Sequence, residues 1–194
     1  MRSTSSPMRS LDPAAVTWQN ISPELREPML ARGEVDAISS LTYTGIMSLA
    51  GLGVPVENVV ALKYADYGAD LYGHAIVVNP AFAAAHPGAI TSLIRCTAEA
   101  MREALQATAP SIAALKKRDP LVNDAIEAER LQLSIACCWV TPNTRANGFS
   151  AIAAPRLAGS IRTVAEAFGF APPPPEEVYT DRYLPPAAEL RLGL

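Results

Sequence analysis

With 194 residues, 49% of them apolar and only 18% charged, the chain is long enough for one domain or one and a fraction, and rich enough to bury a sizeable core. That composition excludes a largely disordered protein. Sixteen basic and nineteen acidic side chains leave a net charge of −3, scattered with no Lys/Arg stripe, so neither nucleic acid nor an anionic membrane surface is an expected partner. Nor is there a run of about 18 apolar residues to cross a membrane. Residues 1–11 are rich in Arg and Ser and carry no apolar stretch of the signal-peptide kind, so the chain as written is expected to have no export route.

Val16 to Ile21 alternates and contains Trp18, which predicts a short strand. Ser22-Pro23 opens a helix whose regular part begins near Pro28 and which Gly33 stops. Val35 to Ser39 reads as a strand, Ser40 to Leu52 as a helix, Val59 to Tyr64 as a strand, and Asp66 to Asp70 as a turn-rich link. Leu71 to Val78 is a third apolar run of the buried-strand type. This alternation points to α/β layers around a mostly parallel sheet.

From Asn79 onward the pattern turns helical. Asn79-Pro80 opens a short helix through His86, and Pro87 opens a long one with the stripe Ile90, Leu93, Ile94, Thr97, Met101 and Leu105. A brief helix over Ser111 to Arg118 ends on Lys116, Lys117 and Arg118, which suit the negative end of its dipole. Asn123 to Val140 reads as a second long helix, Thr141-Pro142 caps a short one that Gly148 ends, and Pro155 to Phe168 carries the stripe Leu157, Ile161, Val164, Ala165 and Phe168 before Gly169. Pro172 to Pro175 is a stiff spacer, and the tail is irregular. Three or four strands make a thin sheet for five or more helices, which implies that part of the sheet lies outside this sequence.

The search for chemistry returns mostly exclusions. There is no phosphate-cradling P-loop, no dinucleotide fingerprint and no nucleophile elbow. His74 and His86 lack metal-ligand spacing and read as structural or surface residues. Cys96, Cys137 and Cys138 have no paired spacing and read as small buried apolar residues, so no metal and no cofactor is expected. Four of the six tyrosines, Tyr43, Tyr64, Tyr67 and Tyr72, fall in one stretch with Asp66 and Asp70, at the ends of expected strands, where open α/β sheets bind ligands. A tyrosine offers a flat apolar face with a hydroxyl at its edge. Ser39, Ser40, Thr42 and Thr44 add hydroxyls, and a cap by Ser40 or Thr42 would present backbone N–H groups to an anion. The alternative is that the tyrosines merely flank a strand edge. Lys63, the lysine nearest this cluster, reads as a solvated strand-end residue rather than a Schiff-base lysine.

Several blocks carry a further signal: Val16-Thr17-Trp18-Gln19-Asn20, Leu25 to Ile38, Tyr64-Ala65-Asp66-Tyr67-Gly68 with Leu71-Tyr72-Gly73, Lys117-Arg118-Asp119-Pro120-Leu121, Glu129-Arg130-Leu131, and Thr180-Asp181 with Leu184-Pro185-Pro186. Together they resemble the solute-binding proteins of ATP-binding-cassette importers of the nitrate/sulfonate/taurine and thiamine-pyrimidine group, over roughly residues 12 to 192. The resemblance implies a type II periplasmic-binding-protein fold of two hinged α/β lobes, here incomplete because the first lobe-one strands have no counterpart, with a helix-rich C-terminal half. Residues 1–11 would be an unmatched tail, 12–66 the remainder of lobe two, and 67–194 the returning part of lobe one. It places Ser39, Ser40, Tyr43, Thr44, Asp66 and Tyr67 on the ligand-binding cleft.

On that resemblance the chain is a ligand binder and not an enzyme. It would take a small organic anion or a pyrimidine-like solute and deliver it to the importer's membrane subunits, without itself being membrane-embedded. A periplasmic location is implied by the family and a cytoplasmic one by the chain as written. Two alternatives stand beside it. One is a pyridoxal-phosphate-dependent enzyme similar to the fungal thiamine-pyrimidine synthases, whose reactive lysine and histidine lie in the N-terminal part of the family that has no counterpart here, so that activity is not expected. The other is a gene fragment without an independent role, binding its ligand weakly or not at all.

Overall fold

The computed structural model describes residues 12–193, so the expected tail 1–11 lies outside the described residues. The chain divides into two compact units, one running to Asp70 and the other from Leu71 onward.

In the first unit, Ser22-Pro23 opens a 3-10 turn over Pro23–Leu25 that runs directly into α1, Arg26–Ala31. Pro28 sits in the first turn of α1, where its missing N–H has no intrahelical partner to lose. Gly33 ends the segment at φ +71°, a left-handed conformation that glycine adopts without a Cβ penalty. Helix α2, Thr42–Gly51, packs against α1 and buries Gly45, Met47 and Leu49. A 3-10 turn over Tyr64–Tyr67 closes on Gly68 at φ +93°.

The second unit is a succession of helices: α3 (Pro80–Ala85), α4 (Pro87–Gln106), α5 (Thr108–Arg118), α6 (Asp124–Ser134), α7 (Pro142–Asn147), α8 (Ala154–Phe168) and α9 (Pro175–Val178). Sequence-encoded side-chain caps set three of their starts, those of α3, α6 and α7. The Asn79 side chain accepts from the amides of Ala81 and Phe82, and that of Asn123 from Ala125 and Ile126. Thr141 and Thr144 form a reciprocal capping box. The core joins Ala83, Ile90, Ile94, Ala98 and Leu190, with Val78, Phe149, Tyr183 and Leu184 packed on it. Its line along α4 is therefore Ile90-Ile94-Ala98, every fourth residue, and Leu93 of the expected stripe faces outward.

The tail that reads as irregular acts as a strap across α4 and α7. The Phe149 amide donates to the Leu190 carbonyl at 2.8 Å. Arg102 donates to the carbonyls of Glu189 and Arg191 at 2.7 and 3.1 Å, Arg95 pairs with Glu189, and the Thr91 hydroxyl donates to the Tyr183 carbonyl at 2.9 Å. Gly148 at φ +90° admits the strap, because a Cβ there would lie 2.8 Å from the Leu190 carbonyl oxygen.

The expected strands are corrected. Among the described residues Val16–Ile21, Val35–Ser39, Val59–Tyr64 and Leu71–Val78 form no strand, and the described fold is helix-rich. The reason is the missing ladder. Val59 (φ −96°, ψ 117°) and Lys63 (φ −79°, ψ 128°) keep extended backbones, but a strand without a neighbour has nothing to satisfy its amides except water. Their apolar side chains remain in solvent: Trp18 is 84% exposed, Val60 83%, Leu62 70% and Val77 91%. The expected helix Asn123 to Val140 is likewise split, with α6 ending at Ser134 and a π-helical turn following over Ile135–Trp139. The cysteines are not the buried trio expected. Cys96 and Cys138 are exposed and Cys137 is half-buried, since Cys96 faces away from the Ile94-Ala98 line and the π turn rotates Cys138 outward. Among the described residues no helix is long and apolar enough to cross a membrane.

Candidate functional site

The extended link between α1 and α2 delivers Ser39 and Ser40 to the surface of the first unit. Three polar bonds hold it there. The Arg26 guanidinium donates to the Ser39 carbonyl at 2.7 Å, the Ser39 hydroxyl lies 3.0 Å from the Tyr64 hydroxyl, and the Ser40 hydroxyl donates to Glu27 Oε1 at 2.8 Å. Glu27 is only 7% exposed, and a carboxylate so placed needs its donor. Gly45 makes the room: a Cβ there would stand 3.1 Å from Ser40 Cβ and 3.2 Å from its Oγ.

This arrangement corrects the expected cap. Leu41, whose side chain has no acceptor, occupies the N-cap of α2 with no side-chain bond, and the Ser40 hydroxyl one residue earlier donates to Glu27. Tyr43 and Thr44 are half-buried in the first turn of α2. Asp66 is exposed and Tyr67 half-buried in the 3-10 turn that begins at Tyr64. The contact between Ser39 and that turn runs through Tyr64.

Glu27 and Arg26 are the polar residues that the sequence reading missed. A signal for Glu27 exists, since it falls on the same helical face as Leu30 and Ala31, at i+3 and i+4. Tyr72, counted with the tyrosine cluster, works inside the second unit. Its hydroxyl accepts the Ala153 amide at 2.9 Å and its ring lies 4.1 Å beneath the Arg156 guanidinium. Nearby, Tyr179 donates to the Ser150 carbonyl at 3.2 Å, and burial, followed by Asp181 and Tyr72, pushes its hydroxyl pKa up. Lys63 is exposed. His86 packs its ring on Phe82 at 4.8 Å where α3 meets α4. A groove of about 700 Å³ lies between α5 and α6, lined by Ile112, Lys116, Lys117 and Asp124 among others. None of the six expected ligand residues lines it.

A protein-family model described as NMT1/THI5 like matches residues 8–109, just over half of the chain. The chain belongs to the NMT1/THI5-like family. The match takes in α1, α2, the Tyr64–Tyr67 turn, α3 and α4 and ends at the start of α5, and so it includes the whole segment from Ser39 to Tyr67. Comparison with curated proteins and with solved structures gives no match.

Proposed function

We propose that this chain belongs to the solute-binding component of an ATP-binding-cassette importer, built on the two-lobe α/β plan of such proteins. It would hold a small solute at the Ser39–Tyr67 surface and release it unchanged to the importer's membrane subunits. The observation that carries the reading is the polar cluster of Ser39, Ser40, Tyr64 and Glu27, which lies inside the stretch matched by the family model. Ser39, Ser40, Tyr43, Thr44, Asp66 and Tyr67 are the proposed contacts, with tyrosine faces for a flat ligand and hydroxyls for its edge.

Between the two expected ligand classes, the carboxylates support the pyrimidine-like one. Glu27 is a buried acceptor beside Ser40, and Asp66 adds a second negative charge. Both favour a ligand that brings N–H donors, as an aminopyrimidine does, and repel an organic anion.

Calorimetric titration with a 4-aminopyrimidine and, separately, an alkylsulfonate tests this. The expected result is reversible heat with the aminopyrimidine alone, weakened in Ser39→Ala and Tyr67→Ala, with the ligand recovered intact. Conversion of the ligand, or binding unaffected by both substitutions, refutes it.

A further inference from the structure

The π-helical turn after α6 places two thiols side by side. Cys137 and Cys138 are sequence neighbours whose sulfurs lie 3.3 Å apart, and Cys138 is exposed. The turn is pinned at both ends. The Val140 amide donates back to the Ile135 carbonyl at 3.0 Å, and the Trp139 carbonyl accepts the Thr144 hydroxyl at 2.6 Å. An ordinary helix turns adjacent side chains about 100° apart. A π turn, often found at functional positions, changes that spacing.

Two outcomes suggest themselves for a vicinal pair, and geometry separates them. A disulfide bond is disfavoured, since adjacent Cα atoms stand about 3.8 Å apart and disulfides normally span about 4.4–6.8 Å. Joint coordination of a thiophilic centre is then the remaining chemistry, and the sulfur separation selects the centre. With bonds of about 2.3 Å, a linear two-coordinate ion sets its sulfurs about 4.6 Å apart, a tetrahedral ion about 3.8 Å, and a pyramidal centre with near-right angles about 3.3 Å. Only the last agrees with the observed spacing. Among the described residues no group of three or more His, Cys, Asp or Glu is placed to hold a metal ion, so the centre must be satisfied by two protein ligands.

We infer that Cys137 and Cys138 form a dithiol site for a trivalent arsenical carrying one organic substituent. In the reaction two As–O bonds of R–As(OH)2 break and two As–S bonds form. Each thiol proton leaves with one hydroxide as water, and arsenic stays trivalent, so no oxidant or reductant is needed. Partial desolvation, followed by the hydrogen bond with Cys137, raises the Cys138 pKa to about 11, which leaves Cys138 slow toward reagents that need a thiolate.

The test uses phenylarsine oxide on the reduced full chain. The expected result is one phenylarsenic unit per chain, loss of two of the three titratable thiols, and a mass-mapped adduct on the peptide containing Cys137 and Cys138. Dimercaptopropanol should strip the adduct and an equivalent monothiol should not. Cys137→Ser and Cys138→Ser should each weaken retention by about a hundredfold or more, the chelate advantage of a second linked arm, while Cys96→Ser leaves it unchanged. The inference fails if wild-type mapping puts arsenic on Cys96, if a single thiol is consumed, or if either single variant retains the adduct as well as wild type. Mapping on the wild-type chain decides the matter even if a serine variant fails to fold.

Discussion

Substitution of Ser40 by alanine is the sharpest probe of the first unit. It removes the donor to Glu27 Oε1, 2.8 Å away, and leaves a buried carboxylate oxygen unpaired. Hydrogen bonds to charged groups contribute about 1.5–3 kcal/mol, and the orphaned partner carries the desolvation cost. For a unit ending at Asp70, a loss of about 2 kcal/mol lowers the transition by about 8–16 °C. Because the chain has two units, the transition to follow is that of the unit holding α1 and α2, resolved by calorimetry and by Tyr64 fluorescence. The companion variant makes the argument specific. Replacing both partners, as Ser40→Ala with Glu27→Leu, removes acceptor and donor together, and so the double variant is expected to be more stable than Ser40→Ala alone. If Ser40→Ala stays within about 0.5 kcal/mol of wild type, as substitutions at ordinary surface sites do, or if the two changes simply add, Glu27 is not held by Ser40 in the way described.

Gly148→Ala should destabilise the second unit by about 2 kcal/mol or more, since an alanine at φ +90° is strained and its Cβ meets the Leu190 carbonyl; urea titration reads it, and a neutral result overturns the strap. Asn123→Ala should cost about 1 kcal/mol in the same titration by removing the bonds to the Ala125 and Ile126 amides. Tyr179→Phe should flatten the alkaline limb of the stability profile. The raised Tyr179 pKa means that the folded chain keeps its proton longer, so its contribution is complete below pH 10.0 and fades as pH climbs through the folded value; an unchanged alkaline limb refutes this. Val60→Lys with Leu62→Thr, at exposed extended positions, should leave stability within about 0.5 kcal/mol while reducing light scattering at high concentration.

The helices were legible where local chemistry alone decides them. Asn79, Asn123 and the Thr141/Thr144 pair each announce a helix start, and each acts as a cap in the fold. The extended segments were misread for a physical reason and not for want of pattern. Val59 to Tyr64 and Leu71 to Val78 have strand composition, but a strand is a property of two segments and a ladder between them. Sequence periodicity reports one segment at a time. The strap at Tyr183–Leu192 was opaque for the converse reason: its grip comes from Arg95, Arg102 and Gly148, residues far away in the chain whose role no local pattern announces.

At the site, residue type carried the search as far as hydroxyls and tyrosines, and there it stopped short of charge. Ser39 and Ser40 stood out because polar residues follow an apolar run, whereas Glu27 hid between Arg26 and Pro28 as an ordinary helix-surface glutamate. Its burial adds to the hydroxyls a carboxylate that accepts from Ser40. Ser40 does not cap α2 because Leu41 holds the N-cap position and the Ser40 side chain is turned toward Glu27 across the gap above Gly45. On the proposed reading, Glu27→Ala removes the buried carboxylate and should abolish the calorimetric heat of aminopyrimidine binding; binding retained at wild-type strength would refute the role given to Glu27.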